Sequence, residues 1–92
     1  MNKQELMNAA SSIIKNNLTS RVVAATVDWD DEISKITLTY YINGAETDDD
    51  IEFCELSLTE LLAEFSDIRL AASQCINAKE NLGKLEGVVY MR

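Results

Sequence analysis

The hydrophobic period of this chain changes once near its start, and that change decides the fold class. Leu6, Met7, Ala10, Ile13, Ile14 and Leu18 recur at the spacing of one helical stripe, with Asn2 and Glu5 suited to start a helix and Asn16-Asn17 to end it. From Arg21 the period becomes two. Val23, Ala25, Val27 and Trp29 then share one side of a strand, and Val22, Ala24, Thr26 and Asp28 the other. After the break Trp29-Asp30-Asp31-Glu32-Ile33, Ile36, Leu38, Tyr40 and Ile42 alternate with Thr37, Thr39, Tyr41 and Asn43. Two β-branched alternating runs across a short polar connector predict an antiparallel hairpin with a helix docked on it.

Farther along, Asn43-Gly44 supplies a turn, and Ile51 to Leu56 reads as a third short strand with Ile51 and Phe53 inward. Ser57-Leu58-Thr59-Glu60 has the form of a capping box, with Leu56 and Leu61 placed as a hydrophobic staple. Leu58, Leu61, Leu62, Phe65, Ala72, Cys75 and Ile76 then keep helical spacing as far as Ala78. A break at Ser66-Asp67 leaves one long helix or two short ones open. Gly83 and Gly87 bound a loop before a final strand at Val88 to Met91. Ninety-two residues, 47% hydrophobic, suffice for one core and not for two. The expectation is a single α+β domain over residues 1–92, with an antiparallel sheet of three to four strands, helices packed on one face and the order α-β-β-β-α-β.

The charge is segregated. Ten of the sixteen acids lie between Asp28 and Glu55 with only Lys35 against them, a net of −9; the other six acids face seven basic residues, a net of +1. On the expected fold Asp28, Asp30, Asp31 and Glu32 gather at one end of the hairpin. Glu46, Asp48, Asp49 and Asp50 gather at the other, and Glu52 and Glu55 ride on the third strand. Charge so concentrated favours long-range attraction of a cationic partner, which makes these ten acids the candidate contact residues for a basic protein. Trp29, Tyr40 and Phe53 have inward parity and read as core. Tyr41 has outward parity beside the acids, either as an interface anchor or as a surface tyrosine covering the sheet.

Other chemistries lack their parts. There is no histidine, and Cys54 and Cys75 have no metal-ligand or redox spacing, so both read as small buried hydrophobes. Asp28-x-Asp30-x-Glu32 opens like a calcium loop, but Ile33 and Thr39 stand where that loop needs glycine and glutamate. Gly44, Gly83 and Gly87 are isolated and cradle no phosphate. Hence no metal, no cofactor and no catalytic residue is expected, and the chain reads as a non-enzyme. The acidity opposes direct nucleic-acid binding and attachment to an anionic membrane. Met1-Asn2-Lys3-Gln4-Glu5 lacks the layout of a secretory signal, which leads to an expected cytoplasmic location.

In length, acidity and α+β layout the chain resembles the small acidic immunity proteins that bacteria keep against nuclease toxins, of the colicin and contact-dependent growth inhibition kinds. That resemblance implies tight, electrostatically steered inhibition of a basic nuclease toxin domain. An acidic adaptor or regulatory subunit of a larger assembly, or an inhibitor that mimics nucleic acid, would share the same composition.

Overall fold

The computed structural model describes residues 2–81, 83 and 85–92; Met1, at the start of the stretch read for a signal, and Lys84, inside the expected loop, lie outside them. Helix α1 (Lys3–Lys15) starts as its sequence requires. The Asn2 side chain accepts hydrogen bonds from the amides of Gln4 and Glu5 at 2.8 and 3.2 Å, with Glu5 in the first turn and Lys15 in the last. Strands β1 (Val22–Asp30) and β2 (Lys35–Ile42) form the expected hairpin, and Ser34 closes its turn at φ +52°. A register shift between Val22 and Ala24 brings Val22, rather than Val23, into the core.

The α+β class holds, but the segment from Asp48 to Asn77 is built differently from the expectation. Ile51 to Leu56 is not a strand; it belongs to the first half of helix α2 (Asp48–Glu64). The helix expected from Leu58 to Ala78 ends at Glu64. The chain turns at Ser66-Asp67 and returns as strand β3 (Leu70–Asn77), followed by a short helix α3 (Ala78–Asn81) and β4 (Val88–Met91). Strand β3 runs parallel to β2 from Lys35↔Leu70 to Ile42↔Asn77, so the sheet is mixed rather than antiparallel. Parallel neighbours need a long crossover, and α2 is that crossover.

The physical reason lies in the capping chemistry. The capping box that forms is Thr47 with Asp50: the Asp50 amide donates to Thr47 Oγ1 at 3.3 Å, and the Thr47 amide donates to Asp50 Oδ2 at 3.0 Å. Ser57-Leu58-Thr59-Glu60 sits in the helix interior instead, where Thr59 donates to the Glu55 carbonyl. Cys54, Leu58 and Leu61 bury one stripe, while Phe53, expected inward, is 38% exposed. Residues 70–77 are rich in helix-tolerant alanine and leucine; the free edge of β2 makes them a strand, an instance of tertiary pairing overriding local preference.

The sheet order is β3-β2-β1-β4, which places the last strand at an edge beside β1. At the start of β4, Gly87 holds φ +67°, and a Cβ there would lie 2.3 Å from the Val27 carbonyl oxygen. Leu6, Ala10 and Ile14 of α1 and Cys54, Leu58 and Leu61 of α2 meet Val22, Ala25, Val27, Ile36, Leu38, Tyr40 and Ile42 in one core, so both helices cover the same face of the sheet. Trp29 is half-buried against that core, Cys54 is buried and Cys75 half-buried, and both thiols are free. The accessible surface, 5503 Å², agrees with the roughly 5,000 Å² that a folded chain of this mass exposes. No helix among the described residues is long and apolar enough to cross a membrane.

Candidate functional site

Helix α2 carries seven acids (Asp48, Asp49, Asp50, Glu52, Glu55, Glu60 and Glu64) and no lysine or arginine. Three of them occupy its first turn, where the helix dipole favours them; Glu60 and Glu64 near the other end gain nothing from it. Burial divides the Asp triplet. Asp48 and Asp49 are exposed, whereas Asp50 is fully buried. Asp50 Oδ1 accepts from Thr19 Oγ1 at 2.8 Å, and Oδ2 accepts from the amide and hydroxyl of Thr47 at 3.0 and 2.9 Å. Burial alone would push this carboxyl up. The hydrogen bonds from Thr19 and Thr47 and the charge of Arg21 outweigh it, and the group is held below the usual carboxylate value.

Arg21 serves the same structural end of the helix. Its guanidinium lies 3.7 Å from Asp50 and donates to the carbonyls of Asn43, at 2.9 Å, and Ala45, clasping the segment that leads into α2. This cation is thereby committed to Asp50 and to the backbone before α2. Among the described residues no basic group comes within 4 Å of Glu46, Asp48, Asp49, Glu52 or Glu55. These five acids are exposed on one helix and the segment that leads into it. Beside them Phe53 and Leu56 are 38% and 43% exposed, so the outer surface of α2 combines uncompensated carboxylates with two large apolar side chains.

The other acids lie elsewhere. Asp28, Asp30, Asp31 and Glu32 occupy the far end of the β1–β2 hairpin, separated from the start of α2 by the length of the strands, about 25 Å for eight residues. There Trp29 Nε1 donates to Asp31, the Glu32 amide donates to Asp30 at 3.0 Å, and Lys35 stands opposite Asp30 in the ladder. Arg69 lines a cleft of about 460 Å³ with Trp29, Asp31, Ser34, Ser66 and Asp67, which sets a cation among those acids. Tyr41 is half-buried on the sheet face opposite the helices, registered with Ala24 and Ile76 and apart from both acidic groups. The ten candidate acids thus divide into an exposed group of five on α2 and its lead, one buried structural acid, and four at the distant turn.

A second hydrogen-bonded centre fixes α2 in place. Tyr40 Oη donates to the Asn17 carbonyl at 2.9 Å, so Ser57 Oγ, 2.7 Å away, is the donor to Tyr40. Burial pushes this phenol well above its ordinary value. Asn17 Nδ2 donates to Glu60 Oε2 at 3.1 Å and to the Ile13 carbonyl at 3.0 Å, tying α1, α2 and β2 together. Burial likewise pushes the Cys54 thiol up to about 12, with Cys75 adding to it, and the Cys75 thiol up to about 11, with Asp50, Glu46 and Glu55 adding to it, which makes both poor nucleophiles. The arrangement offers a surface for binding.

Reading residues 51–56 as a strand concealed Phe53 and Leu56 as surface groups. The signal that exposes them is Thr47-x-x-Asp50 followed by Ile51, Cys54, Leu58 and Leu61 at helical spacing. A family model described as MafI2 immunity protein matches residues 3–92 of the chain, and no curated protein matches it.

Proposed function

The chain belongs to the MafI2 immunity protein family, whose role is to bind a cognate toxin, and from that premise we propose that it inhibits a basic toxin, of nuclease type, through the outer surface of α2. The observation that supports this reading is the set of five exposed acids, Glu46, Asp48, Asp49, Glu52 and Glu55, with no cation within 4 Å among the described residues, beside exposed Phe53 and Leu56. Acids of this kind steer a basic partner into encounter, and apolar side chains at their centre hold it once solvent is excluded. A nuclease must attract polyphosphate and so presents the lysines and arginines such a surface fits. Asp50 is excluded from the contact set because it is enclosed, and the hairpin acids contribute only distant field. The inhibitor acts by occupancy inside the toxin-bearing cell and needs no cofactor or reaction of its own.

Co-expression with the toxin domains of the same host tests the reading. The wild-type chain should rescue growth from one toxin with nuclease activity, and a D49N/E52Q/E55Q/L56A variant should fold normally and fail to rescue. Rescue that is indifferent to these four positions would remove α2 as the interface.

A further inference from the structure

The two edges of the sheet differ in how they are closed. Strand β4 is four residues long, pairs with β1 through a register shift between Ala25 and Thr26, and ends at Met91. Strand β3 is eight residues long, contains no charged residue and no proline, and keeps an unbroken register with β2. Charge, proline and a bulge, three devices that blunt an edge, are missing from it, and among the described residues no strand pairs with its outer side. Along that edge, between α2 and β3, lies a cleft of about 270 Å³. Ile51, Cys54, Ser73 and Cys75 line it, and Glu46 and Glu55 bring carboxylates to it. Ile51, Glu55 and the exposed Leu62 share one flank of α2.

The charge selects the occupant. A second copy of this chain joined through β3 would bring another helix carrying seven acids toward the first, across a cleft that already holds two carboxylates. A basic segment meets no such repulsion. Resting on the proposed toxin-inhibitor reading, we infer that the toxin adds an extended segment along the outer edge of β3, with one lysine or arginine side chain entering the cleft between α2 and β3 to meet Glu46 and Glu55. Main-chain hydrogen bonds to β3 hold the segment, and alternate side chains select it. The aliphatic stem of the basic side chain covers Ile51 and Cys75 while its head reaches the carboxylates.

Hydrogen exchange of the chain, free and bound to the toxin domain whose killing it suppresses, tests this. Alternate amides of Leu70–Asn77 should slow at least about tenfold on binding, and E46Q/E55Q should weaken the complex about tenfold while leaving thermal unfolding unchanged. Toxin bound with β3 amides exchanging at their free rate, while L56A still weakens the complex, would overturn the edge inference and leave the α2 interface standing. Loss of neither binding nor rescue in the α2 variants would overturn both. A dimer of the chain alone in sedimentation, with β3 amides protected, would assign the edge to a second copy instead.

Discussion

The two ends of the β1–β2 hairpin hold similar numbers of acids and use them differently. At the turn, the carboxylates of Asp30 and Asp31 accept hydrogen bonds from Glu32 and Trp29, and Lys35 and Arg69 stand among them. At the other end, Asp50 takes up Thr19, Thr47 and the charge of Arg21, whose guanidinium also holds the carbonyls of Asn43 and Ala45, and Glu46, Asp48, Asp49, Glu52 and Glu55 remain exposed with no cation within 4 Å among the described residues. Local count of acidic residues therefore does not identify an interface. What separates the two ends is whether the fold consumes the carboxylates.

The sharpest division falls within the Asp triplet, and it gives the largest expected effect. D50A removes the carboxylate half of the capping box and leaves Thr19, the Thr47 amide and Arg21 without the carboxylate they meet, which should lower stability by about 2 to 3 kcal/mol in denaturant unfolding. D49N, one residue away and exposed, should change it by less than about 0.5 kcal/mol. Equal effects would erase the distinction. The same group sets an acid limit. Because the folded-state pKa of Asp50 lies below its unfolded value, its contribution is complete above that unfolded value and is lost as pH falls through the folded one. As pH falls below the usual carboxylate range, the wild type should therefore lose stability more steeply than D50N. The exposed acids act in the opposite sense there, since protonating them relieves repulsion in a chain of net charge −8.

The next effect concerns association. D48N/D49N/E52Q should slow toxin binding roughly tenfold to a hundredfold at low salt and flatten its salt dependence, with stability unchanged. Neutralising Asp48, Asp49 and Asp50 together would confuse steering with unfolding, since the third of them is structural. L56A should instead leave the association rate nearly unchanged and raise dissociation about tenfold, as loss of an apolar anchor does. A surface plasmon resonance series that found both variants acting on the same rate would contradict the separation of steering from holding.

The sequence made the first half of the molecule legible because periodicity and burial agree there. The α1 stripe buries Leu6, Ala10 and Ile14, and the alternating strands bury Ile36, Leu38, Tyr40 and Ile42, with no competing pattern. The acidic segregation was legible too, as a sum over positions. Its geometry was not, because residues 51–56 satisfy both a period of two and a helical period, and the choice depends on which of two capping sequences forms. Thr47–Asp50 prevails since its aspartate is also paired to Thr19 and Arg21, contacts made across 31 and 29 positions of chain that no local window contains. Strand β3 was illegible for a related reason. Its eight uncharged residues carry no strong strand signal, and what makes them a strand is the edge of β2 beside them.

The smallest expected effect is the one that best isolates the comparison. D28N/D31N/E32Q removes three charges at the hairpin turn, as many as D48N/D49N/E52Q removes from α2. If only the summed field of the chain attracted the toxin, the two triple variants would slow association alike, because steering at low salt depends on net charge as well as on placement. With the first half of α2 as the contact surface, the turn variant lies toward the other end of the strands, farther from it than the roughly 8 Å screening length at physiological ionic strength. Its effect on association should then stay under about threefold and vanish near 0.15 M salt, while the α2 variant still binds slowly. Weakening of the Trp29–Asp31 hydrogen bond, whose acceptor becomes a neutral amide oxygen, should appear only as a small change in tryptophan fluorescence and a destabilisation of less than about 1 kcal/mol. Equal slowing by both triples at 0.15 M salt would show that the toxin reads the turn as well, and that the acids the fold engages there are not withdrawn from recognition.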